Sequence, residues 1–466
     1  MFGRCLIVTG IIVACLTSYP SAQELRELRL PYMREDSLVV SPPPKRWDIA
    51  ALECGVLHFI PWFVGRYIQD GYWTQISVNS MDINLRHGFE WDPNMFRNNF
   101  SSHPYHGAAY FNAARTNGMN FWESVPYAFT SSLTWELFME SEFPSFGDLV
   151  MTTVAGAALG EELYRFSEQL LDDRAAGWER FWRELGGTAL NPVGGFNRLV
   201  RGDMFRRQSA VNHIRNPMVG YAAWGTRTSI EGQNVDKQKI RPALSWTLRY
   251  GDPYESRSEY RKPYDYFTFR GWLSLGEDKL NVTMLQQGVI AGKNFTAGES
   301  GGIAHLFGLF QHYDYVNVEL FNYGGVTLAP GLISAWPLGK GWTMGTQAHA
   351  GWLMLGGSNN EYFTNTQGRN YNYTTGFKGK AVAVLTSPEY GELMANYMYF
   401  WMDSLEGIEG TDSIHQLVVD YNKRIFNDFG LGLEYFRYSR TGDYTGFPQS
   451  NVTVDGARVL ISYAFY

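Results

Sequence analysis

From about Pro217 onward, apolar and polar side chains alternate, the pattern of strands whose two faces meet unlike surroundings. Over Asp265–Leu275, Phe267, Phe269, Leu273 and Leu275 share one face, and Tyr266, Thr268, Arg270, Trp272 and Ser274 the other. Residues 415–425 set Leu417, Val419 and Tyr421 against Gln416, Asp420, Asn422 and Arg424. Residues 375–385 set Phe377, Ala381, Ala383 and Leu385 against Lys378 and Lys380, and residues 429–436 set Phe429, Leu431, Leu433 and Tyr435 against Gly430, Gly432 and Glu434. A soluble sandwich alternates too, but tilted membrane strands run to about 9–11 residues where soluble strands average about 5–6, and the runs here are of the longer kind. Strands are predicted near 218–229, 243–251, 264–276, 278–290, 303–314, 322–336, 341–355, 373–386, 390–402, 413–425, 428–440 and 455–466, with the alternation blurred over 303–336. In the last of these Ala457, Val459, Ile461, Tyr463 and Phe465 form one continuous apolar face before Tyr466. Such a free edge would invite aggregation in a soluble protein. The predicted fold is an antiparallel membrane β-barrel of about 12 strands, an even number as in bacterial single-chain barrels, preceded by a small all-α domain.

Upstream, the spacing is helical. Residues 48–68 read as a helix and 70–100 as irregular structure rich in Asn, Trp and Gly. Helices follow from Pro104 to Asn117-Gly118, from Phe121 to Glu140, from Ser145 to Leu171 and from Arg174 to Leu185, the last with Trp178, Phe181, Trp182 and Leu185 on one stripe. Asn191-Pro192-Val193-Gly194-Gly195 is read as the end of this block. Gly156 and Gly160, one turn apart among alanines, make a smooth helix face where another backbone can approach. The resulting partition is a signal peptide over 1–22, a linker and irregular region over 23–100 that includes Pro42-Pro43-Pro44, a helical domain over 101–205 and a barrel over 210–466.

Composition supports this picture. Aromatic residues make up 16% of the chain and charged residues only 18%, as the aromatic girdles of a barrel would need. The net charge is −7 without a long basic run, so no nucleic-acid partner is expected. Arg4 followed by the apolar stretch Cys5–Leu16 reads as an export signal. Cleavage after the small residues Ser21 and Ala22 and lipidation at Cys15, behind the lipobox-like Ile12-Val13-Ala14, both fit. Neither choice leaves cysteines for an internal disulfide, and Cys54 reads as a small buried hydrophobe. The apolar stretch Ile49–Val64 is broken by Glu53, His58 and Pro61, which argues against a membrane-crossing helix. A membrane protein without spanning helices must be a closed barrel, and the outer membrane of a Gram-negative bacterium is the expected location.

Candidate chemistry falls on the helices. His103 and His106 stand three apart, Glu136 and Glu140 four apart with Ser132 on the same stripe, and Asp148 and Glu162 on one face with Thr152 and Ala155 between them. Histidine with carboxylates suits a divalent metal or acid–base work. The plainer explanations are that Ser145-x-x-Asp148 caps a helix, that Glu136 and Glu140 face solvent, and that His103 helps a helix begin. On the strands, His312 and Asp314 share a face. The catalytic candidates are therefore His103, His106, Glu136, Asp148, His312 and Asp314, and neither a metal nor a cofactor is called for.

The order His103, Trp135-Glu136, Pro144-Ser145-x-x-Asp148 and Gly156-x-x-x-Gly160-Glu161, followed by a barrel, resembles an uncharacterised bacterial family of exported outer-membrane barrel proteins carrying a domain of unknown function. The helices are also similar to VanZ-like proteins, from whose pattern Leu137 and Thr152 depart. The terminal aromatic strand resembles the signature read by the barrel-assembly machinery, with Tyr466 one residue beyond the register. The resemblance implies no established activity. The expected function is passage or envelope maintenance by a barrel with a periplasmic or lumen-plugging helical domain, in contact with outer-membrane lipid. The alternative is a hydrolase or acyl-transfer enzyme acting on lipid or lipopolysaccharide; no Gly-x-Ser-x-Gly elbow supports it.

Overall fold

The computed structural model describes residues 44–208, 216–231, 241–254, 260–276, 280–297, 302–318 and 321–465. The expected signal over 1–22, with Cys15, lies outside the described residues. The chain divides into two compact units, one helical and one built on the barrel.

In the helical unit, α1 (Trp47–Tyr67) is the helix expected over 48–68, while α2 (Val78–His87) lies in the stretch 70–100 expected to be irregular. By length and composition α1 is long and apolar enough to cross a membrane, against the expectation from Glu53, His58 and Pro61. The polar residues do not interrupt its outer surface because they are satisfied within the unit. Glu53 accepts from Asn117 Nδ2 at 3.0 Å, and the His58 Nε2 lies 2.9 Å from the Ser131 carbonyl. A capping box between Ser77 and Ser80 opens α2.

α3 (His103–Arg115) begins with Pro104 in its first turn, and α4 (Phe121–Thr134) with a capping box between Asn120 and Glu123. α4 then passes into a π-helical turn, Trp135–Met139. The third predicted helix is also interrupted: α5 (Phe146–Val150) and α6 (Gly156–Leu170) flank a π-helical turn at Met151–Ala155. Each π turn inserts a residue and shifts the helical phase of the residues beyond it, so positions counted as one face across it no longer align. α7 runs Gly177–Leu190 and α8 Pro192–Arg201. Here Asn191-Pro192 opens a helix where an end was expected: Pro192 stands at its first position and the Asn191 side chain accepts from the Gly194 amide.

The smooth face of α6 is used as the sequence implies. A methyl group on Gly156 would lie 2.6 Å from the Gly107 Cα, and one on Gly107 1.8 Å from the Thr152 carbonyl oxygen. α3 and α6 therefore meet backbone to backbone, which only glycine permits at these two positions.

Twelve strands form the barrel: β1 (Met218–Glu231), β2 (Arg241–Tyr250), β3 (Phe267–Leu275), β4 (Leu280–Ala297), β5 (Ile303–Asn317), β6 (Asn322–Gly339), β7 (Trp342–Asn359), β8 (Tyr371–Ser387), β9 (Gly391–Glu406), β10 (Gly410–Phe426), β11 (Phe429–Tyr444) and β12 (Ser450–Phe465). Each pairs antiparallel with its sequence neighbours, and β1 pairs with β12 to close the ring, Trp224 opposite Ile461. Along β11 exposure alternates residue by residue, Leu431, Leu433 and Tyr435 outward and Gly432, Glu434 and Phe436 buried. Trp224, Phe307, Trp352, Phe377, Trp401, Val459 and Ile461 continue the apolar exterior on other strands.

The blurred alternation near β5 has a local cause. Lys378 of β8 reaches Asp314 of β5 past two intervening strands, so Asp314 and His312 face the lumen and Tyr313 and Tyr315 face outward. That outward face is covered by Pro93–Phe100, which belongs to the barrel unit. Tyr313 Oη donates to the Phe100 carbonyl at 2.6 Å, Phe96 stacks on Tyr315, and the Asn99 amide donates to the Tyr371 and Tyr373 hydroxyls at 2.8 and 2.5 Å. The outward face is therefore aromatic, the lumen face mixes Leu306, Phe310 and Val316 with His312 and Asp314, and the period-two signal is blurred.

Candidate functional site

Three separate segments of the helical unit bring acidic and imidazole groups together. A parallel bridge joins Glu90 to Ser145, with the Glu90 amide donating to the Pro144 carbonyl at 2.8 Å and the Phe146 amide to the Glu90 carbonyl at 2.9 Å. This holds Asp92 near the start of α5. The Ser145 hydroxyl accepts from the Asp148 amide at 3.1 Å, so the cap expected from the sequence is present. The Asp148 side chain is free of that duty and turns to His103, Oδ1 lying 3.5 Å from Nε2. On the other side of the ring Nδ1 is 3.4 Å from the Thr152 hydroxyl. One oxygen or nitrogen each from Asp92, His103 and Asp148 lie within 4.8 Å of one another.

Glu136 forms the rear wall. It is 1% exposed, and its Oε2 accepts from the Ser145 amide at 2.7 Å, so it fixes the turn that presents Asp148. Glu140, expected to face solvent, instead accepts from the Trp135 indole at 3.1 Å, while Asn84 donates to the Glu136 and Glu140 carbonyls. The π turn is the reason: it carries Glu140 out of the helical phase that would have exposed it.

The electrostatics follow from burial without cations. Burial pushes the Glu136 carboxyl up to about 8, and burial together with neighbouring carboxylates raises Glu140 and Asp148 well above the ordinary carboxylate range. Burial holds His103 down to about 4, against the opposing pull of Asp92. His103 is thus a neutral imidazole at neutral pH.

The remaining candidates lie elsewhere. His106 is exposed and lines a separate cavity of about 210 Å³ with Ile60, Tyr105 and Asn112. Glu162 is 1% exposed, with no partner for either oxygen among the described residues, and lies outside the cluster around Asp148. His312 and Asp314 belong to the barrel lumen: Lys378 Nζ sits 2.9 Å from His312 Nδ1 and 2.5 Å from Asp314 Oδ2, and His312 Nε2 is 3.1 Å from His349 Nδ1.

Other lumen side chains also pair across the barrel. Arg270 of β3 donates to Asp420 of β10 at 2.8 Å and Trp272 to Glu434 of β11 at 2.9 Å, while Arg458 of the neighbouring strand β12 pairs with Glu434 from directly opposite it. An apolar cluster joins Trp272, Leu285, Tyr323, Leu353, Phe400, Ile414, Phe436 and Val454, drawn from eight strands. A second cluster joins Tyr266, Val289, Leu306, Phe310 and Ile333. Among these groups lies a small cavity of about 40 Å³, lined by Arg227, Trp272, Phe436 and Arg458.

A closed antiparallel barrel with an apolar exterior pairs every strand edge and meets lipid on its outer face, which defines an outer-membrane β-barrel protein. Residues 88–193, which contain the Asp92, His103 and Asp148 cluster, match the family model described as Domain of unknown function (DUF3943). No curated protein matches the chain. Among solved structures the chain is similar to the COG4313 outer membrane channel from Pseudomonas putida F1, at 10% identity and TM-score 0.31 over 54% of this chain and 96% of that one. It is also similar to the NanC porin, at 10% identity and TM-score 0.28 over 52% and 98%, and to an anion-selective porin from Comamonas acidovorans, at 8% identity and TM-score 0.22 over 53% and 99%.

Asp92 escapes a reading of the sequence because it sits in a stretch whose spacing looks irregular. Nothing local marks it; the long-range bridge to Ser145 brings it into place.

Proposed function

We propose that this protein is a non-conducting outer-membrane barrel that tethers its helical domain to the membrane in the service of envelope maintenance, and that it is not a route for solutes. The observation that carries this reading is the filled lumen. Side chains from opposite walls meet as ion pairs and as an apolar core, and removing them from water favours closure by about 25 cal/mol for each Å² of apolar surface buried. Outer-membrane lipid around the exterior and the barrel-assembly machinery during insertion are the partners this reading requires.

The hydrolase or acyl-transfer alternative finds less support. The hydroxyl beside His103 is that of Thr152, which is 3% exposed, so a scissile carbonyl has no approach to it. Liposome swelling tests the proposal. Vesicles containing the folded protein should swell in arabinose no faster than empty vesicles; swelling at the rate given by a general porin would overturn it.

A further inference from the structure

We infer that Asp92, His103 and Asp148 form a binding site for a first-row divalent cation, with Zn2+ as its natural probe. The donor set is two carboxylates and one imidazole, borderline ligands suited to Zn2+ and its neighbours, and it leaves coordination positions for water. Two ligands about 2.1 Å from a tetrahedral ion lie about 3.4 Å apart. The Asp148 Oδ1 and His103 Nε2 are 3.5 Å apart, and the three donor atoms all fall within 4.8 Å.

Independent observations point the same way. Asp148 is 3% exposed, and the oxygen that faces His103 has no hydrogen-bond partner among the described residues. A buried acceptor left unmet normally costs about 1–3 kcal/mol, so a site that retains one needs something to fill it. Among the described residues no Lys or Arg nitrogen lies within ion-pair distance of Glu136, Glu140 or Asp148, so these three carboxyl groups are gathered without a Lys or Arg beside them. The ring of His103 is also oriented for a ligand: Nε2 points into the cluster while Nδ1 lies 3.4 Å from the Thr152 hydroxyl, where an outer partner of a metal-bound histidine would stand. Ser145 and Glu136 in turn hold the segment that carries Asp148.

The test uses full-length, untagged protein folded in detergent, stripped with chelator, reloaded with Zn2+ and dialysed before elemental analysis. The wild type should retain one Zn2+ per chain, and Co2+ in its place should give visible absorption saturating at one equivalent. Asp148→Asn and His103→Ala should each lose at least about tenfold in affinity, while His106→Ala, on the same helix outside the cluster, should keep the full equivalent. Folding of each variant is checked by heat-modifiable electrophoretic mobility and protease resistance. The inference is overturned if the wild type retains no stoichiometric Zn2+ and gives no saturable Co2+ band. It is equally overturned if folded Asp148→Asn binds as the wild type does. Should Asp148→Asn fail to fold, the wild-type Co2+ titration and His103→Ala decide.

Discussion

At Gly107 there is no room for even a methyl group, because the Thr152 carbonyl would lie 1.8 Å from it. Gly107→Ala must push α3 away from the Met151–Ala155 turn, and overpacking of this kind costs about 1–3 kcal/mol. Limited proteolysis should show the helical unit of Gly107→Ala cut well before that of the parent; equal resistance would contradict the backbone contact. The paired glycines of α6 are legible as a smooth helix face, but their partner is not, since nothing in the sequence singles out Gly107. The acidic groups carry a second prediction, for chelated protein. Glu136 is raised to about 8 by burial, so between its unfolded value and that pH the folded state holds a proton the unfolded chain has released. Stability of the helical unit should therefore fall as pH rises. His103, lowered from 6.5 to about 4, acts in the opposite sense below its ordinary value, so the clean window is from about 6.5 to 8. There Glu136 contributes at most about 1.4 kcal/mol per pH unit, the raised carboxyls of Glu140 and Asp148 add to the fall in the same sense, and Glu136→Gln should make it shallower. A parent whose denaturation midpoint is flat across that window would exclude a buried, protonated Glu136. The sequence offers Glu136 and Asp148 as candidates yet places Glu140 in solvent, because a helical count cannot anticipate a π turn.

Strand alternation is a strong signal wherever one face meets lipid, and for that reason most of the twelve strands are legible from periodicity. Val459 is 53% exposed on the outer face of β12. An arginine there should destabilise the barrel by about 2–4 kcal/mol if it lies near the bilayer midplane, lowering the heat-modifiable fraction and the urea midpoint in vesicles. An unchanged midpoint for Val459→Arg would mean that this face does not meet lipid. β5 is the least legible strand because its outward residues Tyr313 and Tyr315 meet Phe96 and Phe100 instead of lipid. Phe100 is fully buried, so Phe100→Ala should cost about 3–5 kcal/mol, and Tyr313→Phe, which removes one donor, about 0.5–1.5 kcal/mol. If both leave urea unfolding of the barrel unchanged, Pro93–Phe100 is not part of that unit. No period in the sequence marks this segment as belonging to the barrel; its placement depends on aromatic contacts across more than 200 residues.

On the scale of the whole molecule, the inward face reads from the sequence as polar and of mixed charge, and Arg270, Lys378, Asp420 and Glu434 are indeed lumen residues. What periodicity leaves open is whether those charges line water or one another, because that depends on which strands face each other across the barrel. Arg270 meets Asp420 and Lys378 meets Asp314, so these charges are spent on ion pairs, Lys380 donates to Gln287 at 2.7 Å, and the aromatic and methionine side chains fill the space between. Planar-bilayer recording of the folded protein tests the closed lumen most directly. The wild type should insert without stepwise conductance, whereas the triple variant Trp272→Ala, Phe400→Ala, Phe436→Ala, which empties the centre of the apolar cluster, should flicker open; long-lived conductance steps from the wild type, of the size a water-filled porin gives, would contradict it.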